Sequence, residues 1–226
     1  MNDNSDRAAL LNWVDATLTG AYGEPQLKPQ QEPLGELVQT ILSQNTADIN
    51  TARAYAELRR RFPSWYDMMH ASVDEIADAI RIGGLAHIKA PRIKAILEQL
   101  YAERGSLDLS YLADMPVDEV RRHLTRFHGV GNKTAACVLL FALRRPALPV
   151  DTHVHRVSLR VGLVPPKTSA DKAHLLLEAQ LAPEEYYPFH LNVIRHGREV
   201  CKAQRPQCDA CALNAVCDYY AAKPEA

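Results

Sequence analysis

Two glycines two positions apart, Gly129 and Gly131, separate two segments whose apolar residues recur at helical spacing. Glycine adopts left-handed backbone conformations at little cost, so the pair predicts a tight turn between helices. The flanking helices are predicted over 116–127 and 132–143. The chain must therefore double back on itself at this point as a helical hairpin.

The rest of the sequence also favours helices. A connector with three prolines and two glycines, residues 20–33, marks a candidate domain boundary. No segment alternates between apolar and polar residues for long enough to predict a strand. We expect an all-α fold. The further helices are predicted over 5–19, 34–42, a segment ending at 62, 72–81, 91–104, 152–161, 169–181 and 184–200.

The charge is unevenly distributed along the chain. Residues 121–172 contain ten Lys and Arg but two Asp and Glu, whereas the remainder contains 16 and 25. A basic segment in a chain of net charge −1 can present one attractive face to a phosphate backbone. A solvated charged face without a partner is the alternative that charge alone leaves open.

The sequence contains no apolar run of the roughly 20 residues that a membrane span requires. The polar start, MNDNSDRAAL, does not resemble a secretory signal. We therefore expect a cytoplasmic protein, associated with the nucleoid if the source is bacterial. A reducing compartment argues against disulfides.

Four of the five cysteines are concentrated near the end of the sequence in the pattern C-x6-C-x2-C-x5-C. Thiols gathered this closely in a reducing compartment indicate a metal site. The spacing alone leaves both zinc and an iron–sulfur cluster open. The candidate ligands are Cys201, Cys208, Cys211 and Cys217.

Two charged residues occupy helix starts. Lys133 falls in the first turn after the glycine pair, where the positive end of the helix disfavours an ammonium group. A free lysine has a pKa of about 10.4, so a nucleophilic lysine needs a lowered value. A phosphate contact is the simpler role. Asp151 precedes Thr152 at the start of a predicted helix, where aspartate is a favoured N-cap.

The segments GVGNKTA (129–135) and VDTH (150–153) resemble the helix–hairpin–helix DNA glycosylase superfamily, in its endonuclease III branch. The resemblance extends from about Leu34 to Cys217. It implies a six-helix barrel over 34–143 that contains the hairpin. Residues 1–33 and 144–226 would form a second helical domain, with a cleft between the two.

The resemblance also implies the chemistry. Lys133 would be the nucleophile, Asp151 the supporting carboxylate, and the four C-terminal cysteines the ligands of a 4Fe–4S cluster. The expected activity is that of a bifunctional DNA glycosylase and abasic-site lyase of base excision repair, acting on oxidised pyrimidines. The expected partner is double-stranded DNA with oxidised bases or abasic sites, and we expect a monomer.

Further residues are expected to contact DNA. The hairpin, Gly129, Val130 and Gly131, would direct backbone N–H groups at phosphate. The resemblance places a wedging loop at Leu85 and His87, and a residue that enters the space of the flipped base at Gln44 or Asn45. Basic contacts would come from Arg121, Lys202 and Arg205.

Three alternatives remain at this stage, and one of them is an iron–sulfur redox protein, for which DNA binding would be unexpected. A monofunctional glycosylase for adenine, thymine or uracil mismatches shares the cysteine pattern and the aspartate but does not need Lys133. A non-catalytic DNA-binding module would use the hairpin alone and would need neither Lys133 nor Asp151.

The sequence also departs from the frequent PGVGR of the family, since it reads HGVGN (128–132).

Overall fold

The computed structural model describes residues 3–27 and 29–222, and the regular structure within these ranges is entirely helical. The all-α prediction is confirmed for this part of the chain. The chain divides into two compact units, one of residues 29–145 and one of residues 1–28 with 146–226. The sequence analysis predicted the domain boundaries between residues 33 and 34 and between residues 143 and 144. That these units are a six-helix barrel and a cluster domain stays a prediction.

The unit of residues 29–145 is assembled on α2, whose apolar residues at helical spacing are all buried. This helix packs against α3, α6 and α8, and α7 packs against α8. Burying one apolar stripe of each helix gives the unit its core. Its helices are α2 (Pro33–Ser43), α3 (Asp48–Arg61), α4 (Trp65–His70), α5 (Val73–Ala79), α6 (Ala86–Arg104), α7 (Val117–Thr125) and α8 (Asn132–Cys137).

The other unit joins the first helix of the chain to the last third of the sequence. In this unit α11 packs against both α1 and α9, and α9 also contacts α10 and α12. Its helices are α1 (Asp3–Tyr22), α9 (Thr152–Val161), α10 (Ala170–Glu178), α11 (Tyr186–Glu199) and α12 (Asp218–Ala221).

Several helix boundaries differ from the predicted ones. The first helix continues through Gly20 to Tyr22, beyond the predicted end at residue 19. The helix predicted from residue 91 begins at Ala86, so that Pro91 lies inside it. Leu85 starts this helix because its carbonyl accepts the N–H groups of residues 88 and 89. Pro91 removes one backbone donor without ending the helix.

The short helix α4 was not predicted, although its start carries a recognisable signal. Ser64 and Asp67 form a capping box, in which each side chain accepts the other residue's backbone N–H. Ser72 and Glu75 form the same arrangement at the start of the helix that was predicted from residue 72. Two successive capping boxes thus start α4 and α5.

The helix predicted over 132–143 changes its winding halfway. After α8 the chain makes a π turn over Val138–Ala142, in which the Leu143 N–H donates to the Val138 carbonyl at 3.0 Å. Such turns accommodate one extra residue in a helix and occur frequently at functional sites. Val138, Leu139 and the other apolar residues of the turn remain largely buried.

None of the helices described here combines the length and the apolar character needed to cross a membrane.

Substitutions at Gly162 and Gly20 test which glycines are required for the stability of the unit formed by residues 1–28 and 146–226. Gly162 ends α9 at φ +93°, and a Cβ there would collide with the Asp218 carboxylate. Gly162→Ala should lower the free energy of unfolding by about 1–2 kcal/mol, the cost of a left-handed L-residue. Gly20 is helical with open space around it, so Gly20→Ala should raise that free energy by up to about 1 kcal/mol. Urea unfolding of both variants measures the difference, and equal effects would contradict this account of Gly162.

Candidate functional site

The glycine hairpin joins α7 to α8. Gly129 adopts φ +82°, and the Val130 N–H donates to the Phe127 carbonyl at 3.0 Å. Gly131 is extended and forms the N-cap of α8, and the helical hydrogen bonds begin where the Ala135 N–H donates to the Gly131 carbonyl. The first N–H groups of a helix have no acceptor within that helix, so the turn presents donors suited to an anion.

Close packing explains why position 129 is a glycine. A Cβ at Gly129 would overlap the side chain of Arg92, which lies directly against the turn. Arg92 Nη1 donates to Gln44 Oε1 at 3.1 Å, and Gln44 Nε2 donates to the Gly129 carbonyl at 3.1 Å. These three residues therefore link α6 and the α2–α3 turn to the hairpin.

Lys133 is the second residue of α8 and is half-buried. The residues that follow it, Thr134 to Cys137, are buried in the core. The lysine is therefore held at the surface end of a helix that is anchored in the protein interior.

Asp151 caps α9 as predicted. Its Oδ1 accepts the backbone N–H groups of His153 and Val154, each at 2.8 Å. Within the described chain, no donor reaches Oδ2. One oxygen thus anchors the carboxylate at the helix start while the other is available for a further interaction.

Buried histidines hold the extended segment that leads to Asp151. His174 Nδ1 lies 2.8 Å from the Leu148 carbonyl, and His190 Nδ1 lies 2.8 Å from the Pro149 carbonyl. A carbonyl can only accept, so both histidines carry their proton on Nδ1. Side chains of α10 and α11 therefore fix the backbone that precedes the capping aspartate.

The four C-terminal cysteines line a single cavity together with Arg160, His196 and Tyr220. Burial, above all, raises the pKa of the Cys211 and Cys217 thiols, and the neighbouring cysteines add to the shift. Across residues 3–27 and 29–222, no three His, Cys, Asp or Glu side chains form a group that could hold one metal ion. The thiols converge without closing around a single ion.

The donor set limits which metal group these residues could hold. Four thiolates that share one tetrahedral zinc ion must lie close together, whereas in a 4Fe–4S cluster each thiolate binds a different iron and the sulfurs stand farther apart. Four thiols that line one cavity are the donor set of either group.

Two arginines of α9 hold the first loop of the cysteine motif. Arg160 Nη1 donates to Cys201 Sγ at 3.4 Å and to the Lys202 carbonyl at 2.7 Å. Arg156 Nε donates to the Cys201 carbonyl at 3.0 Å. The helix that Asp151 caps is therefore bonded along its length to the cysteine loop.

The remaining predicted contact residues differ in accessibility. Asn45, Leu85 and His87 are exposed, as are Lys202 and Arg205, whereas Gln44 and Arg121 are half-buried. The Val130 side chain is buried, so only its backbone could reach a ligand. Asn45 and Leu85 both adopt left-handed backbone conformations, at φ 53° and 52°.

Sequence reasoning missed the supporting residues around these positions. Arg156 and Arg160 were counted in the basic segment, yet both bond the cysteine loop. Their spacing of four residues on one helix face was the available signal. Arg92 had no comparable signal, because its contact with Gly129 spans 37 residues of sequence.

Comparison with known proteins identifies the class of the chain. Residues 38–183 match the model of the HhH-GPD superfamily of base excision DNA repair proteins. Endonuclease III of Thermotoga maritima is 33% identical, over 87% of each chain. A relative from Arabidopsis thaliana that bears the name of a DNA glycosylase is 41% identical over 75% of this chain, which spans 58% of that relative's length.

Solved structures agree with the sequence relatives. A trapped covalent intermediate of endonuclease III with DNA superimposes with a TM-score of 0.81 and 27% identity, covering 95% of this chain and 97% of that chain. The predicted resemblance to endonuclease III is confirmed. The chain belongs to the HhH-GPD superfamily of base excision DNA repair proteins, and its enzyme class is that of the DNA glycosylases.

Two substitutions at Asp151 separate its capping role from its charge. Asp151→Ala removes the acceptor of two backbone N–H groups and should lower the free energy of unfolding by about 1 kcal/mol. Asp151→Asn retains a capping oxygen, so its stability should stay near the wild type. Ser169→Ala removes the side-chain N-cap of α10 and serves as the matched control for the loss of a helix cap. A fully stable Asp151→Ala variant would mean that the cap contributes little.

Proposed function

We propose that this protein is a bifunctional DNA glycosylase and abasic-site lyase that removes oxidised pyrimidines from double-stranded DNA. The observation that carries the proposal is Lys133 in the first turn after the glycine hairpin, in a chain similar to endonuclease III over most of its length. A lysine at this place supplies the amine that a lyase needs.

In the proposed first step, the unprotonated Lys133 Nζ attacks C1′ of the damaged nucleotide. The bond between C1′ and the base nitrogen breaks, and the base leaves with the electron pair and takes up a proton. Positive charge develops on the sugar as this bond lengthens. The Asp151 carboxylate, anchored through Oδ1, stabilises that charge through its free oxygen.

The lyase step follows from the covalent adduct. The nitrogen loses one proton, the C1′–O4′ bond of the sugar ring breaks and O4′ takes up a proton, which leaves a protonated imine between Nζ and C1′. Removal of a proton from C2′ then expels the 3′ phosphate, which breaks the C3′–O bond by β-elimination. Water hydrolyses the remaining imine, releases the unsaturated sugar fragment and regenerates the lysine amine.

Selection of damaged bases would begin with the loops of the 29–145 unit. Leu85 is an exposed apolar residue at the start of α6, and such a residue can enter the base stack. Asn45 is exposed and Gln44 is bonded to the hairpin, so Asn45 is the better candidate to enter the space of the extruded base. A damaged base stacks weakly, which lowers the cost of its extrusion.

We further propose that Cys201, Cys208, Cys211 and Cys217 hold a 4Fe–4S cluster. The convergence of the four thiols on one cavity supports this assignment. When bound, such a cluster would cross-link a loop that has little apolar core of its own. The exposed residues Lys202 and Arg205 lie in that loop and could then contact phosphate.

Borohydride trapping tests the nucleophile. Wild-type protein should become covalently attached to duplexes that contain an oxidised pyrimidine or an abasic site. Lys133→Gln and Lys133→Arg should lose trapping and strand cleavage, because neither side chain offers an unprotonated amine. Asp151→Asn should retain DNA binding while strand cleavage falls by about a hundredfold, since the charge is lost but the cap remains.

Lys172→Gln, on the exposed face of α10, is the control and should trap like the wild type. Trapping that survives in Lys133→Gln would place the nucleophile elsewhere. A wild type that releases bases but never traps would belong to the monofunctional glycosylases.

Metal analysis tests the cluster. Purified protein should contain about four iron and about four sulfide per chain, with the yellow-brown absorbance of an iron–sulfur protein. Cys211→Ser should lose most of both. Cys137→Ala should keep them, because Cys137 is buried in the other unit and is not part of the cysteine motif. About one zinc per chain without sulfide would contradict the cluster assignment.

A further inference from the structure

Lys89 is a buried cation to which neither the sequence analysis nor the proposed mechanism gives a role. It lies in the first turns of α6, and 1% of its surface is exposed. Its Nζ donates to the Leu42 carbonyl at 2.7 Å, to Thr46 Oγ1 at 2.7 Å and to the Gly83 carbonyl at 3.0 Å. An ammonium group has three donors, so these three acceptors satisfy it completely.

A lysine is seldom buried unless it forms an ion pair, because removing the charge from water is costly. The partners of Lys89 are three uncharged oxygens. Burial lowers the pKa of Lys89, whereas the three acceptors favour its ammonium form. A methionine of similar length would fill the same space without a charge. The ammonium group is therefore retained for the hydrogen bonds that it makes.

The three acceptors lie in or directly beside two loops that are distant in sequence. Leu42 lies in the last turn of α2 and Thr46 in the α2–α3 turn, while Gly83 ends the short 3-10 helix Arg81–Gly83, just before the loop that leads into α6. The Thr46 hydroxyl also bonds the Gly83 carbonyl directly. One side chain thus ties together the α2–α3 turn and the loop before α6.

The backbone next to these acceptors is strained at Leu85 and adopts, at Asn45, a left-handed conformation that asparagine tolerates. Asn45 precedes Thr46, and Leu85 follows Gly83 by two residues; both adopt left-handed conformations. A left-handed conformation is unfavourable for a branched side chain such as leucine. Strained residues persist where the surrounding structure over-determines them. The bonds from Lys89 supply that constraint at both places.

We propose that Lys89 is a positioning residue that locks the two loops into the geometry needed to extrude a base. It acts through Asn45 and Leu85 and does not itself touch DNA. The proposal rests on the proposed function, in which those residues enter the duplex. Loss of the lock should therefore impair the extrusion step more than the chemistry at a sugar whose base is already missing.

The same helix provides a matched control. Lys94 Nζ donates to the carbonyls of Met69 and Ala71, at 2.5 and 2.9 Å, and so closes the end of α4. Lys94 and Lys89 are thus two lysines of α6 that both bond backbone carbonyls at the end of another helix. Only Lys89 bonds the loops that carry Asn45 and Leu85.

Hydrogen exchange of the full-length protein tests, without reference to activity, whether Lys89 holds the two loops in place. In Lys89→Met, amide exchange should accelerate by about tenfold or more in peptides covering residues 43–47 and 82–86. In Lys94→Met those peptides should exchange like the wild type. If Lys89→Met fails to fold, Thr46→Val removes one of the three acceptors and should give a smaller acceleration in the same peptides. Unchanged exchange in both segments would overturn the proposal.

Activity then tests the consequence. On a duplex containing thymine glycol, Lys89→Met should lose about a hundredfold in base release, since misplacement of about 1 Å can have that effect. On a duplex with a preformed abasic site, strand cleavage should fall by less than about threefold, because no base is extruded. Equal losses on both substrates would overturn the positioning role. If wild-type protein cleaves neither duplex, the proposed function fails, while hydrogen exchange still decides on the lock.

Discussion

An all-helical chain must satisfy the backbone polar groups that every helix leaves unpaired at its ends. Several of these groups are satisfied here by charged side chains. Lys89 closes the end of α2, and Asp151 opens α9. At the hairpin, the start of α8 is left to a glycine with no capping side chain. The helix end without a capping side chain is the one where a phosphate is expected to bind.

The helix α9 connects two features that seemed independent in the sequence. Its first residue follows the Asp151 cap, and its later turns carry Arg156 and Arg160, which bond the loop of Cys201. A disturbance of the cysteine loop would therefore be transmitted to the helix that orients the carboxylate. The proposed iron–sulfur cluster would then support the proposed activity through this connection, without any redox change.

Much of the fold could be predicted from the sequence because it depends on local patterns. Helical periodicity, the glycine turn, the capping box at Ser72 and the Asp151 cap are all encoded within a few residues. The contacts of Lys89 and Arg92 could not be predicted from the sequence. Lys89 bonds Thr46, which is 43 residues away, and Arg92 bonds Gln44, which is 48 residues away. A lysine near a helix start predicts an exposed charge on local grounds, and only tertiary packing makes it a buried donor.

The contact between Gly129 and Arg92 has an evolutionary consequence. The positive φ of Gly129 and the guanidinium packed on its α-carbon restrict the position twice, once through the backbone and once through the neighbouring side chain. A relative that gained a side chain at 129 would need a shorter residue at 92. The shortening would also remove a partner of Gln44. Among homologues, these three positions should covary as a set, although no two of them are adjacent in sequence.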